Sequence, residues 1–136
     1  MKTKQRMENR KKVNLLIVAS TNNALKCSKG KAESPQHRKT KFLLSEYCWE
    51  NNLDFATEVS FKDSQRADFL IKDWVVGIEV LNSEKLKDFW KKKYPIPTIP
   101  IFATIEPKEL KDMMDDLEAT NGTGADYYIK NVQWPK

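Results

Sequence analysis

Residues 66–83, RADFLIKDWVVGIEVLNS, constrain the fold of this chain more than any other stretch. Alternating apolar residues on either side of residues 72–74 predict two short strands joined by a tight turn. One face of each predicted strand is apolar, with Ala67, Phe69 and Ile71 on the first and Val76, Ile78 and Val80 on the second. The opposite faces carry one acid each, Asp68 and Glu79. The stretch therefore predicts a central strand pair that carries two carboxylates.

The chemistry of Asp68 and Glu79 allows two interpretations. An ionised carboxylate in an apolar strand loses hydration worth several kcal/mol unless it is paired or bound to a cation. Two such groups on neighbouring strands repel each other, and a shared divalent cation would keep both ionised. Alternatively, Asp68 pairs with Arg66, and Glu79 pairs with a lysine at the rim of the sheet.

The composition predicts one folded domain, because 136 residues with 40% hydrophobic content can bury a real core. The sequence has no run of about 18 apolar residues and no signal-peptide core, so we expect a cytoplasmic protein without a membrane span. The two cysteines, Cys27 and Cys48, predict reduced thiols and no zinc site. The net charge of +5 favours a polyanionic partner, although basic surfaces also serve solubility.

Patterning along the chain predicts a single domain over residues 1–136, with a tail, an N-terminal segment and a core. Residues 1–12 predict a flexible basic tail, residues 13–33 an N-terminal strand and loop, and residues 34–104 the core. The core begins with a helix capped by Ser34-Pro35 and continues with a strand over residues 54–61. Alternation in this strand predicts Phe55, Thr57, Val59 and Phe61 on one face and Glu58 on the other. The remaining predicted elements are the hairpin, a helix over 83–94, a strand over 98–105, a helix over 108–119 and a strand over 126–132.

The order helix, three-strand antiparallel meander, helix and strand, with acids on strands two and three, resembles the PD-(D/E)XK nuclease superfamily. SPQHRKTKFLLSEYCWENNLDFATEVSF followed by RADFLIKDWVVGIEVLNS is similar to a competence-associated, nuclease-like branch of it. The resemblance covers residues 34–104. It implies an α/β (α+β) fold with a restriction-endonuclease-like αβββαβ core, in which helices flank a mixed central sheet.

The resemblance also implies a catalytic site. Asp68 and Glu79 would bind Mg²⁺ or Mn²⁺ together with a carbonyl oxygen near Val80, and Glu58 would be a further ligand or would hold a metal-bound water. Such a cation binds a phosphate oxygen and lowers the pKa of the attacking water. The alternative interpretation of Glu58 is a surface salt bridge.

One departure from the superfamily pattern affects the predicted activity. The pattern ends Glu-x-Lys, but Leu81 stands two residues after Glu79 and cannot orient a water or neutralise a phosphate. Lys41 on the first core helix is the best candidate for a relocated catalytic lysine, and Lys85 and Lys87 are weaker candidates. Without such a lysine, the fold would bind nucleic acid, or a protein partner, without cutting.

The expected partner is nucleic acid, DNA in preference to RNA. The residues expected to contact it are His37, Arg38, Arg66, Lys85 and Lys87. The alternative interpretation of His37 is a local hydrogen-bonding group at the start of its helix. Many members of the superfamily work as dimers, so a homodimer is among the expected assemblies.

Overall fold

A computed structural model of the chain describes residues 2–21, 34–81 and 86–132. These residues form helices and a five-stranded mixed sheet, with the helices lying between and around the strands in the sequence. The α+β class with a mixed sheet, predicted from the sequence, is thereby confirmed. The elements are α1 (Lys2–Asn14), β1 (Ile17–Thr21), α2 (Pro35–Glu50), β2 (Phe55–Phe61), β3 (Arg66–Ile71), β4 (Val76–Leu81), α3 (Leu86–Phe89), β5 (Thr98–Phe102), α4 (Pro107–Ala119) and α5 (Ala125–Lys130).

The strands lie in the order β1-β2-β3-β4-β5, which is also their order in the sequence. Strands β1 to β4 pair antiparallel with one another, and β5 runs parallel to β4. Short connections predict the antiparallel pairing of β2, β3 and β4, whereas β1 is joined to β2 through α2. The predicted turn between β3 and β4 spans residues 72–75. Pro100 lies within β5, where the outermost position in the sheet tolerates a residue without an N–H group.

Helix α2 begins where the sequence predicts it. The Ser34 hydroxyl accepts a 3.1 Å hydrogen bond from the backbone amide of His37, and Pro35 occupies the first turn. Cys48 is a buried thiol on this helix, whereas Cys27 lies outside the described residues. None of the helices in the described ranges has the length and apolar character needed to cross a bilayer.

Apolar clusters cover both faces of the sheet. The main cluster packs Leu44 of α2 and Met113 of α4 against Phe69 of β3 and its neighbours. A second cluster contains Val13 of α1 and Leu70 of β3. Because Phe69 and Leu70 are consecutive in a strand, their side chains point to opposite faces. Helix α1 therefore covers one face of the sheet, and α2 with α4 covers the other.

The predicted flexible tail is instead helix α1, and it is fixed to the rest of the fold. Arg10 forms an ion pair with Asp73, whose side chain is completely buried, and Arg6 pairs with Glu118 of α4. Val13, expected to open the first strand, is a fully buried residue at the end of this helix, and β1 begins only at Ile17. Long-range ion pairs thus order a segment whose own sequence is almost wholly polar.

Strand β2 departs from the predicted alternation at Glu58. Its φ of 48° lies in the left-handed region, and the register between β1 and β2 shifts on either side of Ala19. Phe55 therefore packs in the main cluster, whereas Val59 and Phe61 pack in the second. The predicted single apolar face of β2 is wrong because a bulge reverses the side chains that follow it.

Two predicted elements near the C-terminus also differ. The helix expected over residues 83–94 is α3 with Leu86–Phe89, followed by a turn and irregular chain, while residues 83–85 lie outside the described ranges. Residues 126–132 were predicted as a strand, but Ala125–Lys130 form α5. Ala125 is buried in the main cluster, and the Tyr128 hydroxyl donates a hydrogen bond to Asp116 of α4. Packing against α4 therefore overrides the β propensity of this aromatic segment.

Candidate functional site

Asp68 of β3 and Glu79 of β4 lie together where the backbone pairing of the two strands ends. The register of the pair runs from Ile71–Val76 to Phe69–Ile78. Beyond it, the Asp68 amide donates a 3.2 Å hydrogen bond to Glu79 Oε1, and the Val80 amide donates a 2.7 Å bond to Asp68 Oδ2. Side-chain carboxylates therefore act as hydrogen-bond acceptors at the open end of the hairpin.

The pKa values of the two acids are shifted in opposite directions. Loss of hydration, and then the charge of Asp68, raise the pKa of Glu79 to about 8. Burial also raises the pKa of Asp68, but hydrogen bonds from His37, Glu79 and the Val80 amide outweigh it and hold that pKa below its ordinary value. Near neutral pH the pair thus retains a proton, which a bound cation would displace.

Three side chains from other elements surround this pair. His37, in the first turn of α2, places Nε2 3.3 Å from Asp68 Oδ2. Lys92 Nζ lies 3.2 Å from Glu79 Oε2, and the Tyr94 hydroxyl donates a 2.7 Å hydrogen bond to the same oxygen. The Glu79–Lys92 contact is the lysine pairing that the alternative interpretation predicts for Glu79.

Sequence reasoning missed Lys92 and Tyr94. The helix predicted over residues 83–94 includes Lys92 as one of several lysines and ends at Tyr94. The chain leaves the helix after Phe89, so the following irregular segment brings both side chains to Glu79. Pro95 and Pro97 signalled a helix end nearby, but nothing in the local sequence indicated how early the helix stops.

Lys41 and Glu58 form a buried ion pair beside the two acids. Lys41 Nζ lies 2.6 Å from Glu58 Oε1, and the Lys41 side chain has no exposed surface. Glu58 lies opposite Asp68, because the flanking register pairs are Thr57–Phe69 and Val59–Ala67. Arg66 approaches the other Glu58 oxygen at 3.9 Å. The salt bridge considered for Glu58 is present, but it is a buried one.

The carboxylates do not form a ready-made metal cage. Over residues 2–21, 34–81 and 86–132, no group of three or more His, Cys, Asp or Glu side chains is arranged to hold a metal ion. The donors at the hairpin end are the two acids Asp68 and Glu79. Two carboxylates with several waters are nonetheless the usual protein contribution to a Mg²⁺ site, so the donor set fits such a cation.

The remaining predicted site residues divide by exposure. Leu81 is buried with Leu86, Phe89 and Phe102, so an apolar cluster occupies the position where the superfamily pattern has lysine. Arg38, Arg66 and Lys87 are exposed, and His37 is half-buried against Asp68. Lys85 lies outside the described residues.

The whole arrangement provides a buried acid pair, a histidine on one acid, and a lysine and a tyrosine on the other. Carboxylate oxygens next to the exposed ammonium group of Lys92 can bind a divalent cation and an anionic oxygen side by side. In comparisons with known proteins, no family model, curated protein or solved structure matches the chain.

Proposed function

We propose that this chain is a metal-dependent nuclease that hydrolyses phosphodiester bonds, in DNA in preference to RNA, with Mg²⁺ or Mn²⁺. The observation that carries the proposal is the contact between Asp68 and Glu79 at the open end of the hairpin. Two acids held this closely in a buried position are costly without a cation, as the raised pKa of Glu79 indicates. Sites with such perturbed groups are candidates for chemistry.

In this proposal Asp68 and Glu79 hold the cation together with a carbonyl oxygen near Val80. A bound Mg²⁺ or Mn²⁺ supplies Lewis acidity toward a phosphate oxygen and a more acidic water. His37 orients Asp68 by its contact with Oδ2, and Tyr94 orients Glu79. Glu58, on the neighbouring strand β2, is held by Lys41 of α2 and in this proposal orients a metal-bound water.

The topology supports a restriction-endonuclease-like core. The segment α2-β2-β3-β4-α3-β5 has the order helix, three antiparallel strands, helix and parallel strand. That order is the αβββαβ arrangement of the PD-(D/E)XK superfamily, with the acids on its second and third strands. The assignment to that superfamily is part of the proposal.

Since Leu81 occupies the position of the superfamily's lysine, another lysine must supply its charge, and the structure offers Lys41 and Lys92 near the acids. Lys41 is fully buried and engaged by Glu58, which limits its reach to a substrate. The side chain of Lys92 is 42% exposed and already lies beside Glu79. An ammonium group at that position can neutralise charge on a phosphate bound next to Glu79, so we assign this role to Lys92.

Cleavage assays test the proposal directly. Labelled single-stranded, duplex and branched DNA, and single-stranded RNA, are incubated with the protein in Mg²⁺, Mn²⁺ or EDTA. We expect divalent-dependent cleavage that Asp68→Asn and Glu79→Gln each abolish. Asp112→Asn, which changes an exposed acid on α4, is the matched control and should leave the rate unchanged. Cleavage that persists in both site variants would remove the proposed function.

A second candidate function is nucleic-acid binding without cleavage. The observation that favours it is the apolar packing of Leu81, which leaves the position of the expected lysine without charge. Salt-sensitive binding with no cleavage in either metal would select this function, because counterion release makes phosphate contacts salt-dependent. Binding to a protein partner would instead depend weakly on salt.

A further inference from the structure

Residues 86–94 form an exposed basic segment that carries an aromatic ring. The segment contains four lysines and one aspartate. Trp90 is 51% exposed, although a tryptophan at a random surface position is usually covered to a larger extent. Lys87, Lys91, Lys92 and Lys93 are all exposed around it. An aromatic ring among lysines differs from an ordinary solvated lysine face, which presents no flat apolar surface.

The Trp90 ring is held on a rigid base. It contacts Phe89 edge-on, with ring centroids 5.1 Å apart and an interplanar angle of 75°. Phe89 is only 5% exposed and packs with Leu81, Leu86 and Phe102. The apolar cluster that contains Leu81 thus supports the ring from below, and ordering Trp90 on a ligand would cost little additional side-chain entropy.

The same segment reaches the acid pair. Lys92 follows Trp90 by two residues, and its ammonium lies 3.2 Å from Glu79 Oε2. Two residues span at most about 7 Å of chain. Tyr94 also contacts Glu79, and its ring lies 5.7 Å from that of Phe89. The exposed ring is therefore linked to Glu79 by two short routes, through the Phe89 and Tyr94 rings and through the two residues of chain that lead to Lys92.

These features distinguish among nucleic-acid forms. In a duplex the faces of the bases are stacked on each other, so a protein ring cannot lie on them without unstacking a pair. A single strand exposes its bases, and aromatic side chains bind them by stacking while lysines follow the phosphates. The four lysines of the segment also favour a polyanion over an uncharged protein surface.

We propose that residues 86–94 bind single-stranded nucleic acid, with Trp90 stacked on an unpaired base and Lys92 directing the adjoining phosphate toward Asp68 and Glu79. The placement of the scissile phosphate rests on the proposed nuclease function, whereas the binding of the strand does not. The substrate class is therefore single strands, or the unpaired parts of branched nucleic acids.

The test is equilibrium binding in EDTA, where no metal-dependent cleavage can occur. Fluorescence anisotropy reports binding of a labelled oligothymidylate of about 16 nucleotides and of a blunt duplex of similar length. Trp90→Ala should weaken single-strand binding by about 5- to 150-fold. Trp90→Phe should retain most of the affinity. Trp49→Ala, which removes a 54% exposed tryptophan on α2, is the matched control and should have no effect.

A further variant separates stacking from folding. Trp90→Leu keeps an apolar side chain on Phe89 but has no ring face, so it should lose affinity as Trp90→Ala does while unfolding at the wild-type temperature. Lys91→Gln should reduce the slope of log affinity against log salt by about 0.7.

The proposal would be overturned if Trp90→Leu and Trp49→Ala lost equal single-strand affinity, or if the protein bound the duplex as tightly as the single strand. Trp90-dependent binding in a protein that never cleaves would refute the nuclease function alone. Cleavage insensitive to Trp90 would refute this inference alone.

Discussion

The ammonium group of Lys41 lies 2.6 Å from Glu58 Oε1, in a position where Lys41 has no contact with solvent. Glu58 occupies this position with a left-handed backbone, φ 48°, in the middle of a strand. For a residue with a side chain this conformation costs on the order of 1–3 kcal/mol. The ion pair and the bulge thus hold Glu58 opposite Asp68, and strain of this kind is concentrated at functional sites.

The ion pair predicts a large effect of removing one partner. Lys41→Met should lower the free energy of unfolding by about 3–5 kcal/mol, because it removes the ammonium group 2.6 Å from a largely buried carboxylate, a contact that the exposed Arg66 at 3.9 Å does not replace. Urea denaturation followed by circular dichroism measures the change. Lys111→Met, which removes an exposed pair with Asp115, should cost far less, because solvent screens exposed ion pairs.

The double variant Lys41→Met with Glu58→Gln completes this cycle. It should recover part of the loss, since no charge is then buried without a partner. If Lys41→Met costs as little as Lys111→Met, the pair does not have the buried character described here.

The raised pKa of Glu79 predicts how stability depends on pH in the absence of metal. Glu79 loses its proton near pH 4.5 in the unfolded chain but near pH 8 in the folded protein. Between these values the folded state binds more protons, so the contribution of Glu79 to stability falls as the pH rises from about 4.5 to about 8. Urea unfolding in EDTA at several pH values measures the trend.

Glu79→Gln provides the control for the pH prediction. Its amide resembles the protonated acid and does not titrate, so the variant should become more stable relative to wild type as the pH rises through this window. Parallel curves for the two proteins would show that Glu79 has an ordinary pKa. Asp68, the other member of the pair, has a lowered pKa, so its contribution to stability is complete above the ordinary aspartate pKa and is lost as the pH falls below it.

The contact between Lys92 and Glu79 predicts a specific role for one lysine among several. Lys92→Met should reduce the cleavage rate by about 10²-fold or more, as removal of a group that stabilises transition-state charge does. Lys108→Met, which removes an exposed lysine of α4 outside the proposed binding segment, is the matched control and should leave the rate unchanged. Equal effects of the two substitutions would assign both lysines to general attraction of the substrate.

The anchoring of α1 predicts that the basic N-terminal segment contributes to stability. Arg10→Ala removes the partner of the fully buried Asp73 carboxylate and should cost about 1.5–3 kcal/mol. Lys11→Ala changes an exposed neighbour on the same helix and should be nearly neutral. Thermal unfolding of the two variants compares these costs, and equal melting temperatures would support a flexible tail after all.

Much of the core follows from local sequence patterns. Ser34 and Pro35 mark the start of α2 because capping chemistry acts within one helical turn. The hairpin that holds Asp68 and Glu79 follows from alternation on either side of a short turn. The proximity of the two acids was therefore predictable, since the hairpin places Asp68 and Glu79 at facing positions, next to the pair Phe69–Ile78. The predicted face is wrong at Ala67, which packs with Leu70 in the second cluster and not with Phe69 and Ile71 in the main one.

The other features depend on contacts between distant parts of the chain. The order of α1 comes from Arg6 and Arg10, whose partners lie more than 60 residues away. The bulge at Glu58 arises where β2 pairs with β1, and it reverses the side-chain alternation of β2, which is regular in the sequence. Lys92 reaches Glu79 because α3 ends early, and no local signal specifies that end.

For the proposed chemistry, Asp68 and Glu79 must together hold a divalent cation. Crystals of the protein soaked in Mn²⁺, with diffraction data collected at the manganese absorption edge, show whether they do. We expect an anomalous peak within about 2.0–2.6 Å of an oxygen of each carboxylate, and its loss in Glu79→Gln. Manganese bound elsewhere, or no peak at all beside the acid pair, would refute the proposed metal site.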